Sequence, residues 1–193
     1  MTPGFRRAVA LVAALNLGYF FVEFTVAVHI GSVSLFADSI DFLEDTAVNA
    51  LILFALGFGA KNRARVGMVL AAILLVPAIA TLWSALQKLG HPVPPAAVPL
   101  TLTGAGALAV NMVCAFMLAG FRRQNSSLVR AAYLSARNDA IANVAIIVAG
   151  GLTAAMVSIW PDLLVGAGIF VMNLGAAREV YAIARHEHAE AAP

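Results

Sequence analysis

Long apolar runs, broken by short polar or proline-rich stretches, repeat along the whole of the 193-residue chain. Six runs stand out, at roughly 8–29, 33–58, 66–89, 97–120, 127–158 and 162–184. Each reaches the length of about 20 residues that a helix needs to cross hydrocarbon. The pattern predicts an all-α, polytopic membrane protein, with six transmembrane helices over residues 1–185 and a short tail over 186–193.

The breaks carry turn chemistry. The third connection, GHPVPPAAVP, holds four prolines and is expected to be a short, stiff loop. Pro77 is expected to kink the third span, and Pro161 with Asp162 to open the sixth, with Asp162 as its cap. Gly104 and Gly106, and Gly166 and Gly168, are small-residue pairs that let helices approach closely.

Composition agrees with a membrane chain. Only 11% of residues are charged and 62% are hydrophobic, with mean hydropathy +0.90, whereas soluble domains carry about 25% charged residues. The net charge of +2 comes from dispersed basic residues, so no nucleic-acid partner is expected. Cys114 is the single cysteine, which excludes an intrachain disulfide and a thiolate metal cluster. The opening MTPGFRRAV has the charge of a signal peptide, but the apolar run continues to His29 without a clear cleavage site, so it reads as a retained span.

Lys and Arg residues mark the orientation. Arg6 and Arg7 precede the first span, Lys61, Arg63 and Arg65 fill the second connection, and Arg122, Arg123 and Arg130 surround the fourth. Arg178 and Arg185 fall at or near the end of the sixth span. Basic residues gather in cytoplasmic loops, so both termini are expected in the cytoplasm, with the chain a multi-pass protein of the inner cell membrane.

Against this background six acids are out of place. Asp38, Asp41, Glu44 and Asp45 crowd the second span, Glu23 lies in the first and Asp139 in the fifth. A carboxylate at mid-bilayer costs roughly 2.5–3.5 kcal/mol on insertion scales, so such residues are retained for use. On a helix Asp38, Asp41 and Asp45 share an arc of about 60°, with Asn49 continuing the stripe and Glu44 on its flank. In the fifth span Ser135 and Asp139 stand four apart, with Asn138 and Asn143 beside them. Two facing helices that each offer ligands at i and i+4 form a four-ligand cage for a divalent ion, above all zinc. Asn16 and Glu23, seven apart on the first span, are expected to line a path with Glu44, Asn49 and Asn143. Protonated carboxyl groups can also link helices without binding a cation, but three on one stripe opposite a fourth favour the cation.

These segments resemble the cation diffusion facilitator family, which exports zinc and related divalent metals in exchange for protons. NLGYFFVEF is similar to the family's first-span Asn and Glu segment, GSVSLFADSIDFLEDTAVN to its second-span signature, and AAYLSARNDAIANVAII to its fifth. SIWPDLLVGAGIFVMNLGAA is similar to the sixth span. The resemblance implies transport-site ligands at Asp41, Asp45, Ser135 and Asp139, and no enzymatic activity. Histidine is usual at the position of Ser135, and a serine hydroxyl is a poor zinc ligand. Water, Asn138, Asp38 or Glu44 is then expected to complete the site. An all-oxygen set also suits Cd2+, Co2+, Fe2+ or Mn2+. The resemblance further implies metal/proton antiport by alternating access, since metal binding needs the same carboxylates deprotonated. The transported metal is the sole cofactor expected. The chain stops at Pro193, so a member without the usual cytoplasmic domain is expected, pairing as a homodimer through its spans in the lipid bilayer. Two other readings stand beside this one. One is a non-transporting membrane subunit or metal sensor. The other is a metal-dependent lipid transferase, whose Asp-Gly-x-x-Ala-Arg pattern is absent.

Overall fold

The computed structural model describes residues 3–54, 79–121 and 127–172, with the backbone alone for residues 54 and 127–137. The basic second connection, Pro77, Arg122, Arg123, Arg178, Arg185 and the tail after 185 lie outside the described residues, as do the side chains of Arg130 and Ser135. Six helical stretches are described: α1 (Pro3–Ile30), α2 (Val33–Phe54), α3 (79–90), α4 (Ala97–Ala119), α5 (Ser127–Met156) and α6 (Trp160–Met172). The protein is therefore all-α among the described residues, and α1, α4 and the Asn138–Met156 part of α5 are long and apolar enough to cross a membrane. The acids of α2 set that helix apart from these three.

Local chemistry fixes the joints. Gly31 ends α1 with φ +64°, and the Ser32 N–H reaches back to the Ala27 carbonyl at 3.0 Å. That is the Schellman closure, for which glycine is the low-strain residue. Ser32 then caps α2 by accepting the Leu35 N–H at 3.2 Å. Two residues thus reverse the chain and make α1 and α2 antiparallel neighbours. Pro92, Pro94 and Pro95 keep residues 91–96 out of helix. Pro99, the fourth proline of the expected loop, instead lies in the first turn of α4, where its missing N–H breaks no helical bond.

α1 packs along α2, α2 touches α5, α5 packs along α4, and α4 returns to α1, so the four helices close a ring. Close contacts occur where glycines remove side chains. A Cβ on Gly104 would meet Ile146 at 2.9 Å, and one on Gly106 would collide with the Tyr19 hydroxyl. Two apolar clusters plug the ring. Phe5, Val9, Val12, Ile52, Cys114 and Leu118 form one. Ala27, Leu35, Ala37, Leu100, Ala142, Ile146 and Ile169 form the other. On α1, α2 and α4 buried polar residues fall between these plugs: Asn16 and Glu23 on α1, Asp38 and Asp45 on α2, Asn111 on α4; on α5, Asn143 is buried beside Ala142 and Ile146 of the second cluster. Large apolar side chains such as Leu11, Phe21, Trp83, Phe116 and Val148 cover the outside, as a lipid-facing surface requires.

Candidate cation site

α2 carries most of the acids, and a knot at its start holds it in place. Asp162, near the start of α6, accepts the Val33 N–H at 2.9 Å, the Ser34 N–H at 3.1 Å, and the Ser32 and Ser34 hydroxyls, each at 2.6 Å. The first two amides of α2 therefore find an acceptor on another helix, and the third finds Ser32. The sequence suggested that Asp162 caps α6; the structure instead shows it capping α2. A negative group suits a helix N-terminus. Lys88 of α3 donates to the Gly31 carbonyl at the end of α1, and its Nζ lies 3.9 Å from Asp162 Oδ2. Gly166, one turn after Asp162, makes this approach possible, because a Cβ there would lie 2.8 Å from the Val33 carbonyl carbon and 2.9 Å from the Ser34 nitrogen.

From that anchor α2 presents its stripe inward. Asp38, Asp45 and Asn49 are buried, and Asp41 and Glu44 are half-buried. Asp41 lies close enough to Asp139 of α5, and to Asp38, Glu44 and Asp45, to feel their charges. Asn143, one turn after Asp139, donates to Asp38 Oδ2 at 2.6 Å. α2 and α5 thus run antiparallel past each other, with Asp41 beside Asp139 and Asp38 beside Asn143. Asn16 of α1 donates to Asp45 Oδ2 at 3.4 Å, and Glu23 approaches Asp38 within hydrogen-bonding reach. These also pair antiparallel, one heptad apart on each helix.

The expected residues are not all gathered. Asn138 is exposed. Asn49 donates to the Asp45 carbonyl at 2.7 Å, a bond within its own helix. Among the described residues no three Asp, Glu, His or Cys side chains converge tightly enough to hold a metal ion.

The profile of the cation efflux transmembrane domain matches residues 9–183, nearly the whole chain. The chain belongs to the cation efflux family. Comparison with curated proteins gives no match. The family makes this cation efflux protein a membrane transporter of cations.

Two features of the transporter were passed over in the sequence. Asn111 of α4 donates to Asn143 Oδ1 at 3.1 Å and so fixes which end of Asn143 faces Asp38. Its signal was available: a lone amide in the apolar run GALAVNMVCAFML. The Asp162 knot joins residues about 130 positions apart, and neither spacing nor periodicity could link them. Tyr19 of α1 donates to the Thr103 carbonyl at 2.6 Å and packs on Phe42 with ring centroids 5.1 Å apart. It thus forms a fixed wall one turn from Glu23.

Proposed function

We propose that this cation efflux protein exports a divalent metal, zinc foremost, by metal/proton antiport, with Asp41, Asp45 and Asp139 as the ligands at its centre. The observation that carries this reading is the approach of Asp41 on α2 to Asp139 on α5. On α2, Asp41 lies between the two apolar plugs, with Ala37 on one side and Ile52 on the other. Protons and a divalent ion compete for these carboxylates, because a metal needs them deprotonated. Competition of this kind couples the two fluxes.

Alternating access asks that each plug open in turn while the other stays shut. The same movement would draw Asp41, Asp45 and Asp139 together around the cargo. Ser135 and Asn138 complete the proposed ligand set, and the oxygen-rich character admits Cd2+, Co2+, Fe2+ or Mn2+ beside Zn2+. The working unit is a multi-pass homodimer in the inner membrane, joined through its helices, with both termini in the cytoplasm.

The test is metal-dependent proton flux in proteoliposomes that carry a pH-sensitive dye. Asp41→Ala and Asp139→Ala should each abolish the flux, while insertion and thermal unfolding stay close to those of the parent chain. Unchanged flux in both variants would defeat the assignment.

A further inference from the structure

Glu23 and Asp38 set two hydrogen-bond acceptors against each other inside the protein. Glu23 is fully buried, and neither of its carboxylate oxygens meets a donor. The group within its reach is the Asp38 carboxyl, itself fully buried and itself an acceptor. Asn143 occupies Asp38 Oδ2, and Oδ1 has no donor. Three buried carboxylate oxygens therefore stand at one place with no donor from the rest of the protein. A buried charge persists only when it is paired or binds a metal, so this place takes either a proton shared between the two carboxyls or a cation.

The neighbouring rung shows the contrast. One heptad away, Asp45 faces Asn16, whose amide donates to it. That pair is satisfied by the protein alone. A glutamine at 23 would have done the same for Asp38, yet the chain has a second carboxylate there. The rung is also separate from the Asp41–Asp139 centre. Asp38 lies three residues before Asp41, about 4.5 Å along the helix axis toward the α1–α2 turn.

We propose that Glu23 and Asp38 form a second divalent-cation station, between the Asp41–Asp139 centre and the α1–α2 turn, where the cargo rests on its way through. The proposal deepens the cation efflux reading and rests on it. Two carboxylates balance a doubly charged ion, and an all-oxygen pair accepts hard ions as readily as zinc. Asn143 is a positioning residue here. Held by Asn111, it takes one oxygen of Asp38 and leaves the other turned to the ion. Tyr19, tied to Thr103, keeps the adjoining turn of α1 in place.

The test counts ions bound to the full chain in lipid nanodiscs, by equilibrium dialysis with Zn2+ and separately with Mn2+. Glu23→Gln is the informative variant, because its amide gives Asp38 a donor and removes the charge without emptying the space. The parent chain should bind one more ion than Glu23→Gln. Asp41→Ala should also lose one ion, and the double variant both. Should Glu23→Gln fail to fold, Asp38→Asn gives the same readout from the partner carboxylate. Equal stoichiometry and affinity in the parent and Glu23→Gln would overturn the station, leaving a pair that merely shares a proton. An unchanged count in Asp41→Ala, with one ion lost in Glu23→Gln, would instead overturn the central site and leave the station standing.

Discussion

Replacing Asp162 with alanine removes one acceptor that serves four donors. The two serine hydroxyls can turn toward each other, since their oxygens already lie 3.3 Å apart. The Val33 and Ser34 amides cannot, because the helix fixes their direction. Each buried donor left without an acceptor costs about 1–3 kcal/mol, so the two amides set a range of about 2–6 kcal/mol. Lys88 also loses its carboxylate and keeps only the Gly31 carbonyl. Removing one member of a buried ion pair costs about 3–5 kcal/mol, in the same range. The carboxylate's own desolvation is relieved and offsets part of the loss. The expected net effect is about 3–5 kcal/mol, or a fall in Tm of roughly 6–20 °C for a chain of this size. Thermal unfolding of the purified protein in one detergent, followed by far-ultraviolet circular dichroism, measures it. Asp162→Asn keeps one carbonyl oxygen and should fall between alanine and the parent. Thr25→Ala is the control, because the Thr25 hydroxyl is exposed and bonds only its own helix, at 2.7 Å to the Phe21 carbonyl. A Tm for Asp162→Ala within about 3 °C of the parent would refute the reasoning, since the knot would then contribute no more than an exposed pair.

Gly166→Ala should destabilise by about 1–3 kcal/mol, because the added Cβ meets Val33 and Ser34 backbone atoms that cannot rotate away. Gly168→Ala meets nothing within 4 Å and should be neutral or stabilise by up to about 1 kcal/mol, as alanine does in a helix interior. Equal melting temperatures for the pair would contradict the packing. Val157 follows α5 with φ 48°, a backbone region that β-branched residues avoid. Val157→Gly should therefore raise Tm by a few degrees, and a lowered Tm would show that the exposed valine side chain contributes more than its backbone loses.

The two levels of organisation were unequally legible in the sequence, and the reason is physical. Helices were readable because lipid demands long apolar stretches and every break between them carries glycine, proline or charge. The inward face of α2 was readable because a carboxylate in hydrocarbon has no neutral explanation, and periodicity alone put Asp38, Asp41 and Asp45 on one side. The resemblance placed Asp41 and Asp139 in one site, but the other partners were not readable. Asp38 with Asn143, and Asp45 with Asn16, depend on which helices share an edge of the ring, and long-range packing sets that, including the glycine approaches of α4 to α5 and α1 and of α6 to α2. The stripe also concealed a division of labour. Asp45, Asp41 and Asp38 look alike in sequence, yet Asp45 faces the Asn16 amide, Asp41 faces the Asp139 carboxyl of α5, and Asp38 lies between the Asn143 amide and the Glu23 carboxyl. An ion moving along α2 toward the α1–α2 turn would leave an amide-supported carboxylate, pass the most crowded point, and arrive at a pair of carboxylates in which one oxygen alone meets a donor, from Asn143. If that order holds, the affinity lost on changing each carboxylate to its amide should be smallest at Asp45 and largest at Asp41. A uniform loss at all three would mean that the stripe acts as one diffuse negative surface, without separate stations.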